Sequence, residues 1–160
     1  ESAFHNTNKV IVIDDLADRK HACHILIDTN YRNNYDSAYT HLVPSDCVMY
    51  LGPDHSLLRP EFHEFKDHTP KWPPAEVLVF FGGSDPTNET QKFIDAAIEC
   101  NSNLKFKILV SQSHIAINNL RHSRHKNISI AIHPPNIARE MSSCSYFIGS
   151  GGTITWERMF

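Results

Sequence analysis

The sequence predicts an α/β protein built on parallel β-sheets, and three observations carry the prediction. Short apolar, β-branched runs recur along the chain, of the kind that suits strands covered on both faces. From Glu76 onward they alternate with segments of helical periodicity, roughly every 20–25 residues, which implies right-handed crossovers between parallel strands. Two of the runs end in glycine-rich turns that lead directly into a helix.

Taken in order, Lys9 to Ile13 is the first strand and ends in Asp14-Asp15. Cys23 to Ile27, closed by Asp28, is the second, and only about nine residues separate the two, too few for a crossover helix. This part therefore reads as a loop-rich sheet edge. Val48 to Leu51, before Gly52-Pro53, is a weaker third strand. Pro60, Pro70, Pro73 and Pro74 exclude a long helix or central strand over 60–75, which reads as a linker with a short helix from Pro60 to Phe65. The domain organisation is then 1–59, a linker over 60–75, and a second domain over 76–160. In that domain Val77 to Phe81, Phe106 to Val110, Ile128 to Ile132 and Tyr146 to Ile148 are the strands. Thr87 is the expected cap of a helix with Thr90, Phe93, Ile94, Ala97 and Ile98 on its apolar stripe. A weaker helix is expected over 113–122, a third from a cap at Asn136 to about Ser142, and a fourth from about Thr153. The chain opens without Met and closes on a helical pattern with no C-cap signal, so both ends read as cuts.

Composition narrows the function classes. In 160 residues, 41% are hydrophobic and 21% charged, which is globular, and the formal charge of -3 offers no basic footprint for nucleic acid. No apolar run reaches the roughly 18–20 residues that span a bilayer, and no secretory signal opens the chain. The four cysteines, Cys23, Cys47, Cys100 and Cys144, include no Cys-x-x-Cys pair and read as buried free thiols of a soluble cytoplasmic protein. The sequons at Asn88 and Asn127 then read as chance matches. His21 and His24, His63 and His68, and His122 and His125 are pairs without a third converging ligand, so no metal site is expected, and no cofactor.

Ligands of a parallel sheet bind outside the carboxyl ends of its strands. Gly82-Gly83-Ser84-Asp85 lies at one such end, where glycines allow close backbone approach and the next helix offers amide groups to phosphate oxygens. The plain alternative is a tight turn that needs glycine. Gly149-Ser150-Gly151-Gly152-Thr153-Ile154-Thr155 is a stronger anion-binding pattern, with Glu157 one helical turn beyond Thr153 and able to accept both hydroxyls of a ribose. At a third strand end, backbone beside Ile132 and His133 could read a base edge, stiffened by Pro134 and Pro135. Neither glycine turn is a Walker motif or a spaced dinucleotide fingerprint, which disfavours a dehydrogenase.

Four segments together resemble the UDP-sugar hydrolases of pseudaminic acid biosynthesis and their spore-coat polysaccharide relatives. They are Ile13 to Arg19, Gly52-Pro53 with Leu57 to Phe62, Phe81 to Pro86, and Gly149 to Arg158. The glycine turns alone indicate the wider group that includes the peptidoglycan UDP-N-acetylglucosamine transferase. The resemblance implies a GT-B arrangement of two Rossmann-like domains, of which the chain holds the end of the first and most of the second. It places Ser150, Gly151, Gly152 and Thr153 on the diphosphate, Glu157 on the ribose, Gly83 and Ser84 in the same cleft, and backbone at Ile132 and His133 on uracil. Asp14, Asp15, His55 and Arg59 become sugar-side candidates. The chain departs from the family at His55-Ser56, where Tyr-Ala is common, and at His24, often an aspartate.

The implied reaction is hydrolysis of a UDP-linked 2,4-diacetamido-2,4,6-trideoxy hexose. Its catalytic histidine belongs to a Gly-x-Gly-His loop that this sequence does not contain, so none of the eleven histidines is assigned as the base and the chain by itself is expected to be inactive. The expected partner is the UDP-sugar, with no nucleic acid and no membrane, the protein being a monomer or a weak homo-oligomer. A UDP-sugar glycosyltransferase of the same fold and a non-catalytic nucleotide-sugar binding module are the competing readings.

Overall fold

The computed structural model describes residues 9–69, 72, 76–100, 103–114 and 125–160. Most of the helix expected over 113–122 lies outside the described residues. The chain divides into two compact units, Glu1–Leu58 and Arg59–Phe160. Both carry parallel sheets, and the protein is α/β.

In the first unit, β1 (Ile11–Ile13), β2 (Ile25–Asp28) and β3 (Val48–Leu51) lie in that order, all parallel. Leu26, Cys23 and Tyr39 form the core on one face, with Val12 and Leu51 against it. The opposite face is open: Ile11 is 59% and Ile13 66% exposed, and Val48 and Tyr50 lie in register with them. The expectation of two-sided burial is therefore corrected for β1. The physical reason is that the described part of this unit holds one α-helix, α1 (Tyr35–Ala38), a single turn.

Polar groups organise the buried face. The Tyr39 hydroxyl lies 2.9 Å from Asp14 Oδ2 and 3.0 Å from Asp28 Oδ2. Arg19 donates to Asp14 at 3.0 Å and Arg32 to Asp28 at 2.6 Å, so each buried carboxylate has a cation. Burial, with the two flanking carboxylates, pushes the Tyr39 phenol well above its ordinary range. The Sγ atoms of Cys23 and Cys47 stand 3.6 Å apart as free thiols, and burial pushes the Cys23 thiol up to about 11. Of the four thiols only Cys23 is buried; Cys47 and Cys144 are half-buried and Cys100 is exposed, which corrects the reading of four buried thiols.

The second unit has a four-stranded parallel sheet in the order β6-β5-β4-β7, with β4 Val77–Phe80, β5 Phe106–Val110, β6 Ile128–Ile132 and β7 Tyr146–Gly149. Strand alternation splits its apolar side chains into two layers. Val77, Val79, Ile108 and Val110 face α2 (Glu89–Glu99), which contributes Ile94, Phe93 and Ala97. Leu78, Phe80 and Leu109 face α3 (Ile137–Ser142), with Ile154 of α4 (Thr153–Met159) packed beside them. A 3-10 helix over Pro60–Phe65 adds Phe62, 5% exposed, to this second layer, so the start of the segment read as a linker is part of the core. Ile98, expected on the apolar stripe of α2, is 42% exposed.

Leu78 is 2% exposed in a strand buried along its whole length. Leu78→Ala should cost about 2–4 kcal/mol, measured as a lower urea midpoint at unchanged m-value.

Candidate functional site

The strand order decides where a ligand can sit. From β4 the chain runs outward to β5 and β6, then returns to add β7 on the other side of β4. Such a reversal opens a crevice at the carboxyl ends of the two strands that flank it. Here those strands are β4 and β7, and the turns that follow them are the two glycine turns. Phe80 pairs with Gly149, and a Cβ added to Gly82 would stand 3.8 Å from Ser150 Oγ. The two turns are side by side.

The glycines of the two turns divide into three groups. A Cβ on Gly149 would collide with the Phe80 carbonyl oxygen and the Phe147 ring, so this glycine serves strand packing. Gly82 and Gly152 have φ of 97° and 113°, which side chains disfavour. Gly83 and Gly151 have neither constraint: their φ is not positive, and a Cβ would meet nothing within 4 Å. Neither packing nor backbone conformation explains them, and both are exposed. Ser84, Gly152 and Thr153 are also exposed, and Ser150 is half-buried.

Asp85 anchors the first turn. Its side chain is buried and accepts the backbone N–H groups of Glu89 and Thr90, each at 2.9 Å, with His114 Nε2 at 3.1 Å. Burial alone would raise its pKa, but the hydrogen bonds from Thr90, His114 and Glu89 outweigh it and hold the carboxyl down to about 2. Two expectations are corrected here. Asp85, not Thr87, caps α2, whose N-cap residue Asn88 makes no side-chain cap bond. The amides of Glu89 and Thr90 are thereby occupied by a carboxylate and are not offered to phosphate. The sequence signal was an Asp-Pro pair at a turn, a common turn initiator.

A cleft of about 400 Å³ opens at the same sheet edge, lined by Arg59, Glu61, Gly83, Ser111 and His133, with Phe80, Leu109 and Ile137 among its apolar walls. It brings together Gly83 and His133, which the resemblance implies lie on one nucleotide. The Ser111 hydroxyl donates to the Gly83 carbonyl, tying the turns after β4 and β5. His133 has φ 47°, and its N–H donates to Val110 O at 2.7 Å, so that amide is spent within the sheet; Ile132 is paired with Val110. With Asp85 at φ 38° and Asn88 at 55°, non-glycine residues in left-handed conformation recur in the turns at this edge. Asn136 caps α3 through its side chain, as expected, accepting from Arg139 N at 2.7 Å.

Glu157 is 6% exposed and fully engaged. Arg59 donates Nε to its Oε1 at 2.7 Å and Nη2 to its Oε2 at 2.9 Å. No sequence signal pointed to this pair, whose members are 98 residues apart. Of the sugar-side candidates, Arg59 thus belongs to the second unit, whereas Asp14, Asp15 and His55 belong to the first. Asp14 is a buried structural carboxylate, also bonded to Ala17 N at 2.8 Å. The Asp15 carbonyl accepts from Arg32 at 2.6 Å, and His55 meets the Tyr50 ring edge-on at 5.2 Å. A larger cavity of about 490 Å³ lies beside the start of β7, lined by Phe62, Phe65, Tyr146, Arg158 and Phe160, and includes neither glycine turn. Among the described residues, no cluster of His, Cys, Asp or Glu could hold a metal ion, and no helix is long and apolar enough to cross a membrane.

The Asp85 carboxyl lies below its ordinary value of 3.8, so its stabilisation is complete above about pH 4 and is lost as pH falls through 2. Asp85→Ala should cost about 2 kcal/mol at pH 7, and the difference from the native chain should shrink in urea titrations as the pH approaches 2.

No family model matches the chain. The chain is similar to "Uncharacterized protein MJ1062" of Methanocaldococcus jannaschii, at 27% identity over 122 residues that cover 71% of this chain and 25% of that protein. The chain thus spans about a quarter of the length of the curated relative it matches.

Proposed function

We propose that the second unit binds the UDP moiety of a nucleotide sugar. We further propose that the protein belongs to a hydrolase of GT-B type that releases UDP from a UDP-linked 2,4-diacetamido-2,4,6-trideoxy hexose for pseudaminic acid or surface polysaccharide synthesis. The observation that carries this reading is the reversal of strand order between β4 and β7, which sets both glycine turns at one crevice. Gly83 and Gly151 support it, because the fold asks for glycine at neither place while a pyrophosphate approaching backbone amides does. The resemblance over four segments supplies the sugar.

In this reaction water attacks the anomeric carbon and the bond from that carbon to the diphosphate oxygen breaks. Its electron pair leaves with UDP, and the proton of the attacking water goes to a base that is not assigned to any residue of this chain. The chain's own part is to hold the diphosphate at Gly83, Ser84 and Ser150 to Thr153, where N–H and O–H donors stabilise the charge that develops on the leaving group. The cleft lined by Gly83 and His133, with Phe80, Leu109 and Ile137 as apolar walls, is the place for uracil. The free thiols agree with a cytoplasmic setting, where such groups stay reduced.

Calorimetry should show UDP bound in preference to ADP. Gly83→Ala and Gly151→Ala should weaken UDP binding about tenfold while leaving stability unchanged or raised by about 0.4–1 kcal/mol, since alanine restricts the unfolded chain. Equal affinity for UDP and ADP, or alanine variants that bind as tightly as the native chain, would overturn the assignment.

A further inference from the structure

Two thiols of the first unit are in contact. Cys23 stands shortly before β2 and Cys47 directly before β3, and their Sγ atoms are 3.6 Å apart. Backbone bonds tie the two segments on both sides of the pair: His21 N donates to Leu42 O at 2.7 Å, and Val48 N to His24 O at 2.9 Å. A turn holds Cys47 as well, its N–H donating to Pro44 O at 3.0 Å. The other thiols have no such arrangement, since Cys100 is exposed and Cys144 Sγ donates to Met141 O at 3.1 Å. Packing beside Leu26 and Tyr39 asks only for small apolar side chains, whereas two sulfurs in contact can also form a bond. We propose that Cys23 and Cys47 are a redox-active dithiol, which a hydroperoxide oxidises to a disulfide that staples the entries of β2 and β3. The proposal is independent of the UDP reading.

Exposure sets the order of events. Cys23 is 4% exposed, and burial pushes its thiol up to about 11, so it stays protonated and shielded from solvent. Cys47 is half-buried and offers the accessible sulfur. Its thiolate attacks one oxygen of the hydroperoxide and the O–O bond breaks. The sulfur becomes a sulfenic acid, and the other oxygen takes up the proton lost by the thiol and leaves as water or an alcohol. The Cys23 sulfur then attacks the Cys47 sulfur, the S–O bond breaks, and the departing hydroxide takes the Cys23 proton to become water. Two electrons have passed from the sulfur pair to the peroxide. The sulfurs close from 3.6 Å to about 2.05 Å, which side-chain rotation can supply. The closed loop, 23–47, carries Asp28, Arg32 and Tyr39, the groups that organise the buried face of this unit. Two equivalents of a small thiol reverse the step, the first attacking the Cys47 sulfur and the second releasing it.

The test treats the full chain with a small excess of hydrogen peroxide. The mass should fall by about 2 Da, and a linked peptide pair should join Cys23 to Cys47, with dithiothreitol reversing both. Val48 and Gly52 donate to His24 O and Asp28 O across the β2–β3 pair, and exchange of their amides should slow at least about tenfold in the oxidised chain. Cys23→Ser should leave Cys47 as a sulfenic acid that dimedone traps. Should that variant fail to fold, the double variant Cys100→Ser with Cys144→Ser decides, because an undiminished disulfide supports the pairing and its loss refutes it. Oxidation of Cys100 with both Cys23 and Cys47 still thiols would overturn the proposal. So would conversion of Cys47 to a sulfinic acid beside a free Cys23, or a disulfide that leaves the two amides exchanging as before.

Discussion

The parallel pairing of β4 with β7 is the constraint on which the rest of the site depends. Through the register Val77↔Tyr146 to Phe80↔Gly149, two segments about seventy residues apart end at the same level of one sheet. Their next residues are then forced to turn beside each other. Gly149 makes that pairing possible, because any side chain there would meet the Phe80 carbonyl. The two apolar layers hold the pairing in place: Val77 and Val79 look toward α2, Leu78 and Phe80 toward α3.

Charge at this edge is arranged with equal economy. Asp85 is spent on the start of α2, where it satisfies two amides and meets His114, and so keeps the first turn rigid. Glu157 is spent on Arg59. Each buried carboxylate is matched by donors, as burial demands. What stays exposed at the mouth is mostly backbone and hydroxyl: Gly83, Ser84, Gly151, Gly152 and Thr153. Such a surface recognises an anion by directed hydrogen bonds more than by net charge, in keeping with a chain of formal charge -3.

Much of the fold could be read before any coordinates. The seven described strands fall on the apolar runs, because a buried strand needs continuous hydrophobic residues and leaves that mark locally. Asn136 and Thr153 mark helix starts for equally local reasons. What could not be read was partnership at a distance. No periodicity links Arg59 to Glu157, and nothing in Asp85 distinguishes a ligand from a cap until its two amides are in place. The open face of β1 escaped for another reason: an apolar run records what a strand can tolerate on both sides, whereas the described part of that unit supplies cover for one. Of the candidate residues, Gly83 and His133, which the resemblance puts on one ligand, line one cleft, whereas Asp14 is buried in the first unit against Tyr39.

The indifference of the fold to Gly83 and Gly151 has an evolutionary consequence. Residues that carry no structural duty can drift without unfolding their host, so the ligand edge of this sheet is free to change while its interior stays fixed. A lineage could exchange one bound molecule for another through these two turns alone, and kinship within it would survive in the strands long after the loops had ceased to agree.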